Sequence, residues 1–374
     1  MSAFLLGALT GAAFGAVLYK VGATRYSRVM GMLTLRDTKV MKFAFTAIGV
    51  ASILYGLAAA AGVAEPWGLV PRVMPFLGSA HLLGGALFGV GLGISGLCPG
   101  TCVAKTGGRG GAKKWATQAA VLGLVAGVLA YAWVKDLLRS SGVIAANQKP
   151  LTLHGMLGLP YASVALAWGA LFLVVAWAAD RLTPEKQYEP ARPRRGLLDV
   201  LRGEWSWVAA GVVAGVLVVL ATAQGGYLGF SGAILAAVGW GAHLVGHPME
   251  IVPRVNDDIL WRAALIIGVL PGAFLAAALS LKSRAAAEAP APKVLDWGAV
   301  RRSFSAAAVM TLGALIGGGC TTGAFISAWP TLSLGSLAMA GTFFAVSMAV
   351  ANGRVLARTL DVGTAQSLGD RVYD

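Results

Sequence analysis

Gly91-Leu-Gly-Ile-Ser-Gly-Leu-Cys98-Pro-Gly-Thr101 and, far downstream, Gly313-Ala-Leu-Ile-Gly-Gly-Gly-Cys320-Thr-Thr-Gly323 can be laid over one another with the cysteines in register. Each is a glycine-rich apolar run that closes on a cysteine and a threonine-bearing turn. A weaker match sets Val21-Gly-Ala-Thr24 over Leu228-Gly-Phe-Ser231, each upstream of its cysteine, so both elements keep their order. The chain reads as duplicated, and each copy breaks a hydrophobic helix at the same place.

Composition puts those breaks inside a bilayer. Hydrophobic residues make up 57% of the chain, charged residues 12%, and the mean hydropathy is +0.72, outside the range of soluble globular domains. Apolar runs of the ~20 residues that cross a hydrocarbon core lie near residues 3–19, 43–63, 75–97, 115–134, 158–179, 206–223, 259–281, 303–319 and 334–351. The expected fold is an all-α integral membrane protein of about nine transmembrane helices. Two further apolar stretches, residues 226–245 and the one just after Cys98, are interrupted by Gly, Ser and Pro and read as broken or re-entrant segments. The first run follows no basic segment and meets no cleavage site, so it reads as a retained helix.

The net charge of +14 raises the question of nucleic acid, but the basic residues fall in the gaps between apolar runs, with no nucleic-acid-binding module around them. They read as topology signals, because short cytoplasmic loops hold the excess of Lys and Arg. The loop with Arg25, Arg28, Arg36 and Lys39 is then inside, and the next, with Arg72 against Glu65, outside. Alternation places Arg109, residues 180–204 and the Lys282 to Arg302 loop inside, residues 225–258 outside, the N-terminus outside and the C-terminus, near Arg354 and Arg358, inside. Residues 1–179 and 206–374 form two membrane repeats joined by a charged cytoplasmic linker, 180–205. The first repeat has an odd number of spans, so the second runs inverted, the usual plan for a transport site near the bilayer midplane.

Broken helices at membrane depth are tolerated only where protein or a polar cavity receives the freed backbone groups, so the breaks at Cys98 and Cys320 point inward. Gly7, Gly11 and Gly15, then Gly85, Gly89 and Gly93, then Gly313 and Gly317 form four-residue ladders; plain close packing of helices explains such ladders by themselves. Thr101, Thr321 and Thr322 stand where a cap for a short helix is needed, and N–H groups at such a helix start attract anions. A thiol is a soft, neutral donor suited to a sulfur acceptor, whereas a full positive charge at the midplane costs about 2.5–3.5 kcal/mol or more. The expected solute-binding set is Cys98, Cys320, Cys102, Thr101, Thr321, Thr24, Gly100 and Gly319. Alone, each cysteine would read as a small packing residue; the match between Cys98 and Cys320 favours function, and Cys102, one helical turn after Cys98, has no counterpart.

Other candidates carry less. His81 lies inside the third run, where a buried ring usually serves packing. His243 and His247 lack the Glu and third ligand of a zinc site. Arg25 and Arg254 flank the weaker repeat elements and read as solvated charges or as anion attractors at opposite mouths. A soft-metal carrier is the rival reading, because Cys98 and Cys102 share a helical face with Pro99, but no Met- or His-rich terminus accompanies them. Lys105-Thr106 lacks the upstream frame of a P-loop, and a sulfur enzyme would need a base beside a cysteine, with only His81 to supply it. No enzyme, cofactor or resident metal is expected.

On Gly-Leu-Cys98-Pro-Gly-Thr101, Gly-Gly-Gly-Cys320-Thr-Thr-Gly323 and Phe14-Gly-Ala-Val-Leu-Tyr-Lys20-Val-Gly22, the sequence resembles the YeeE/YedE family of bacterial membrane proteins over nearly its whole length. The resemblance implies an hourglass-shaped inner-membrane protein with loops dipping in from both faces, uptake of thiosulfate handed between cysteines by S–H to sulfur contacts, and a small cytoplasmic sulfurtransferase as partner. Cys98 and Cys320 match two of the family's cysteines. Gly22-Ala23-Thr24 stands where some members carry Gly-Phe-Cys, which implies a shorter relay or another substrate: sulfite, sulfide or a selenium compound.

Overall fold

The computed structural model describes residues 2–107, 114–145, 148–183, 202–280 and 296–361. The nine apolar runs become α1 (Ser2–Val21), α3 (Lys39–Ala60), α4 (Ala80–Ser95), α6 (Lys114–Ser140), α8 (Tyr161–Leu182), α9 (Trp207–Ala223), α11 (Asp257–Leu279), α12 (Trp297–Gly317) and α13 (Leu334–Asp361). Between them lie the shorter α2 (Tyr26–Leu33), α5 (Pro99–Gly107), α7 (Leu153–Leu157) and α10 (Phe230–Leu244), a π-helical turn Thr321–Ser327 and a 3-10 turn Trp329–Thr331. All the long helices except α9 are long and apolar enough to cross a bilayer, α4 doing so together with α5, and α9 falls just short with 17 residues. The protein is a multi-pass membrane protein.

The long helices of the second half begin on side-chain caps. Ser206 Oγ accepts from the Ala209 N–H (3.2 Å), Asn256 Oδ1 from Ile259 (2.9 Å) and Asp296 Oδ1 from Ala299 (3.0 Å), each satisfying one N–H the helix start leaves over. Trp115 and Trp133 of α6 stand 64% and 88% exposed on the outer surface of the bundle, toward lipid.

Helix packing is reciprocal. α1 packs on α11 while α9 packs on α3; α4 packs on α13 while α12 packs on α6; α4 and α12 pack on each other. Only α8, on α3, stands outside this pattern of pairs among the long helices. The seams are built from the glycine ladders. Gly7, Gly11 and Gly15 of α1 lie against the carbonyls of Trp261, Leu265 and Val269, and Gly211 and Gly215 of α9 lie against those of Phe43 and Ala47. Where lipid tails are as apolar as leucine, contact at this range replaces hydrophobic drive as the force between helices.

The structure moves several expected boundaries. α3 starts at Lys39 rather than residue 43, because Lys39 and Lys42 are buried in its first turn on Glu204 (2.9 Å) and Asp180 (2.6 Å). The run 75–97 is helical only over Ala80–Ser95; before it, the Phe76 N–H bonds to Lys149 O (2.9 Å) and Gly78 adopts φ 68°. Residues 226–245 are not broken internally: α10 is continuous, and the break lies ahead of it, where Gly225 takes φ 72°. Most of the 180–205 linker and of the Lys282 to Arg302 loop, with Arg109 and the side chain of Arg358, falls outside the described residues.

A side chain at Gly11 would collide with the Leu265 carbonyl rather than with a movable side chain, so Gly11→Val should cost at least the ~1–3 kcal/mol of an overpacked core. The expected outcome is a smaller monodisperse peak in fluorescence-detected size exclusion and a lower melting temperature, while Leu9→Val, on the exposed face of the same helix, stays at the parental values.

Candidate functional site

α4 and α12 run antiparallel, since Gly84 faces the Gly313 carbonyl and Gly317 whereas Gly91 faces the Ala306 carbonyl. Their C-terminal ends therefore point to opposite faces. At each end a glycine in the left-handed region, Gly96 (φ 61°) and Gly318 (φ 91°), reverses the chain two residues before the cysteine. The returning segments start α5 and the π-helical turn. Between them the Cys98 and Cys320 thiols come within electrostatic reach of each other, and the Thr321 side chain lies beside Cys98. The buried Thr321 hydroxyl has no hydrogen-bond partner of good geometry.

The local bonds differ from simple capping. The Thr101 hydroxyl accepts from the Cys98 N–H (2.7 Å) and points back at Cys98 O (2.9 Å) and Sγ (3.4 Å). It closes the turn from inside α5, as the third residue of a capping box does. In the second half Cys320 itself occupies the cap position of the turn, with no side-chain bond, and the Ala324 N–H reaches Cys320 O at 2.7 Å. Thr321 is thus left with its hydroxyl unused beside the thiols.

Of the expected set, Cys98, Cys102, Thr101, Cys320 and Thr321 are brought together. Cys102 is fully buried one turn beyond Cys98, its N–H on Cys98 O at 2.9 Å. At Gly100 the Phe230 ring lies where a Cβ would be. Gly319 makes the tight turn against Ala324 and lines the cavity described below. Thr24 is buried after α1 and, among the described residues, makes no hydrogen bond to a cysteine; the neighbouring Tyr26 ring packs on Gly96.

His81 is a structural residue. Its Nε2 accepts from the Leu77 N–H (2.9 Å) and its Nδ1 lies 2.8 Å from Gly317 O, so a neutral Nδ1–H ring ties the start of α4 to the last carbonyls of α12. His243 Nε2 bonds to Val252 O (2.8 Å), and Arg254 is exposed. Arg25, its side chain 38% exposed, pairs with Glu204 at 3.2 Å. No group of three or more His, Cys, Asp or Glu able to hold a metal occurs among the described residues.

Three residues outside the expected set line a neighbouring cavity. Arg72, Tyr227 and Arg262 line a cavity of about 90 Å³ with Gly318, Gly319 and Gly323, and also line the wider vestibule of about 440 Å³. The Tyr227 hydroxyl donates to Gly323 O (2.5 Å), and the ring is close enough to feel Cys320. Arg262 gives its Nε to Asp258 (2.9 Å). A lone arginine inside the run 259–281 was the available signal, because a cation inside an apolar span marks a solute path by default.

Residues 25–349 match the family model described as sulphur transport. The chain belongs to this family. The match includes both cysteine turns and the arginine-lined cavity. Among characterised relatives, the chain is 24% identical to the "Thiosulfate transporter TsuA" of Spirochaeta thermophila over 356 residues, covering 90% of this chain and 94% of that protein.

If the cavity gathers anions by charge, Arg72→Gln should weaken sulfate binding to the purified protein severalfold and flatten its dependence on ionic strength. Isothermal titration in detergent at two salt concentrations reads both. Affinity and salt dependence equal to the parent's would remove Arg72 from anion capture.

Proposed function

We propose that this protein takes up thiosulfate, by a path that enters through the Arg72–Arg262 cavity and passes the Cys98–Cys320 turns. The observation that carries the reading is that two thiols from matched, oppositely directed helix breaks come within electrostatic reach of each other. The family's sulfur transport and the thiosulfate transporter among its relatives support the solute. Arg72 and Arg262, the latter paired with Asp258, leave the mouth net positive toward an anion, while the narrow part offers neutral groups: the thiols of Cys98 and Cys320 and the Thr101 and Thr321 hydroxyls. A soft S–H donor suits the terminal sulfur of thiosulfate, and the absence of fixed charge lets the ion leave again.

The solute crosses unchanged, so the reading is transport rather than catalysis. Reciprocal helix packing supports two inverted repeats, 1–179 and 206–374, in the plasma membrane. The positive loops then put the Arg25 end inside, the Arg72 end outside, the N-terminus outside and the C-terminus in the cytoplasm. With Thr24 where a third cysteine stands in some relatives, the relay has two thiols, Cys102 supporting Cys98. A small sulfurtransferase at the inner face would take up the delivered sulfur.

The test is uptake of labelled thiosulfate by a host that lacks its own system, together with growth on thiosulfate as sole sulfur source. Cys98→Ser and Cys320→Ser should each reduce uptake to background at parental expression, since serine keeps the size and the hydroxyl donor but not the soft sulfur. Cys102→Ser should retain much of the rate. Parental uptake in both matched variants would leave the cysteines as packing residues, and saturable copper or zinc uptake in place of thiosulfate would favour the soft-metal reading.

A further inference from the structure

Tyr227 stands on the boundary between the vestibule and the inner cavity. Among the described residues, Arg72, Arg262 and Tyr227 line both spaces, and of these Tyr227 alone is neutral. It also lies within electrostatic reach of the Cys320 thiol. The place of its ring is made by absent side chains: a Cβ at Gly229 would stand 2.9 Å from the ring Cε1, and one at Gly323 would touch the same atom at 3.6 Å. Gly229 has φ −148°, which any residue adopts. Glycine is needed there for space, by the ring and by the Gly323 backbone, 3.3 Å from the same Cβ.

One hydrogen bond keeps the ring in this slot. The Tyr227 hydroxyl donates to Gly323 O at 2.5 Å, its one such bond among the described residues. The backbone on either side is tied down separately: Ser327 Oγ donates to Leu228 O (2.6 Å), and the Gly226 N–H bonds to Ala221 O (2.9 Å) where the Trp261 ring fills the space over Gly226. A rotation of the Tyr227 side chain therefore empties the slot without unfolding the connection from α9 to α10. The space to rotate into is the vestibule of about 440 Å³, where a side chain at Gly225 would meet nothing within 4 Å.

We infer that Tyr227 is the gate between the vestibule and the Cys320 turn, latched on Gly323 O and released by an oxyanion. This rests on the reading that such an anion passes from the one to the other. A hydroxyl bound to a charged oxygen makes roughly twice as strong a bond as the same hydroxyl on a neutral carbonyl. An oxyanion drawn in by Arg72 and Arg262 therefore wins the Tyr227 O–H from Gly323 O, and the ring follows it into the vestibule while water takes up the freed carbonyl. The gain exists only in the open state, as a ligand-driven shift requires. A neutral solute offers no gain over the carbonyl, so the gate selects oxyanions before the thiols are reached.

The experiment reads access to Cys320 in nanodiscs, in the full chain with Cys98→Ser and Cys102→Ser in place, so that Cys320 is the remaining thiol. Methyl and benzyl methanethiosulfonate, both neutral, are applied in turn and labelling is followed by intact mass. The ratio of the benzyl to the methyl rate cancels the reactivity of the thiol and reads the width of the opening. Tyr227→Phe keeps the ring and loses the latch, and should raise the ratio severalfold, the worth of one neutral hydrogen bond. Tyr227→Ala should raise it further, and Gly229→Ala, which pushes the ring from its slot without altering it, should raise it too. Sodium sulfate in place of sodium chloride at equal ionic strength should raise the ratio in the parent and not in Tyr227→Phe, which has no hydroxyl to exchange. A parental ratio in Tyr227→Phe or Gly229→Ala, or a sulfate effect equal in Tyr227→Phe and its parent, overturns the inference; Tyr227→Phe, which changes a single oxygen, decides the case if another variant fails to fold. Labelling needs no transport, so failure of the thiosulfate reading would show separately, as background uptake by the unsubstituted chain.

Discussion

The contact on which the structure turns is the approach of α4 to α12, where Gly84 and Gly313 each place their backbone against the other helix with nothing between. Two helices this close leave no room for a solute along their shared seam. At the ends of that seam Gly96 and Gly318 turn the chain back, and the segments that follow carry the two cysteines to within electrostatic reach of each other. His81 fixes one of those ends by bonding to Gly317 O. At the other, Arg354 of α13 donates to the carbonyls of Gly93 and Ile94 at 3.0 and 2.7 Å, closing off α4's last turn. Each broken helix is thus capped from a different helix, as an apolar setting requires of every freed carbonyl.

The halves share a plan without being copies. After Cys98 the chain winds into α5, started by Pro99 and closed by Thr101; after Cys320 it winds into a wider π-helical turn with no such closure. Aromatic rings crowd the second turn, where Phe325 meets Trp329 at 4.5 Å and Phe344 at 4.8 Å between centroids. A π-helical turn is costly and tends to persist where function uses it. Here it leaves the Thr321 hydroxyl free beside the thiols, which a regular α-helical turn with a capping threonine would have consumed.

Helices were legible in the sequence because crossing a bilayer needs long apolar runs, and all nine found runs are helices. The cysteine turns were legible because each repeats a glycine pattern. What escaped was whatever depends on residues distant in sequence. Arg72 and Arg262 look like unrelated loop and helix charges until folding lines both against Tyr227. Lys39 reads as a loop charge and Lys42 lies just ahead of the run that starts at residue 43; their partners Glu204 and Asp180 are more than a hundred residues away. That the space a side chain at Gly100 would need is taken by Phe230, 130 residues away, is likewise invisible in the sequence.

The two exposed tryptophans of α6 are 18 residues apart, about 27 Å along a helix rising 1.5 Å per residue. Indole rings settle at the headgroup level on both sides, so this helix carries a measure of the membrane it fits, close to the ~30 Å hydrocarbon core of an ordinary bilayer. α6 packs directly on α12, so a thicker or thinner lipid that tilts α6 also leans on the helix that presents Cys320. Lipid chain length therefore bears on how α6 sits against α12, through mismatch that costs fractions of a kcal/mol per Å.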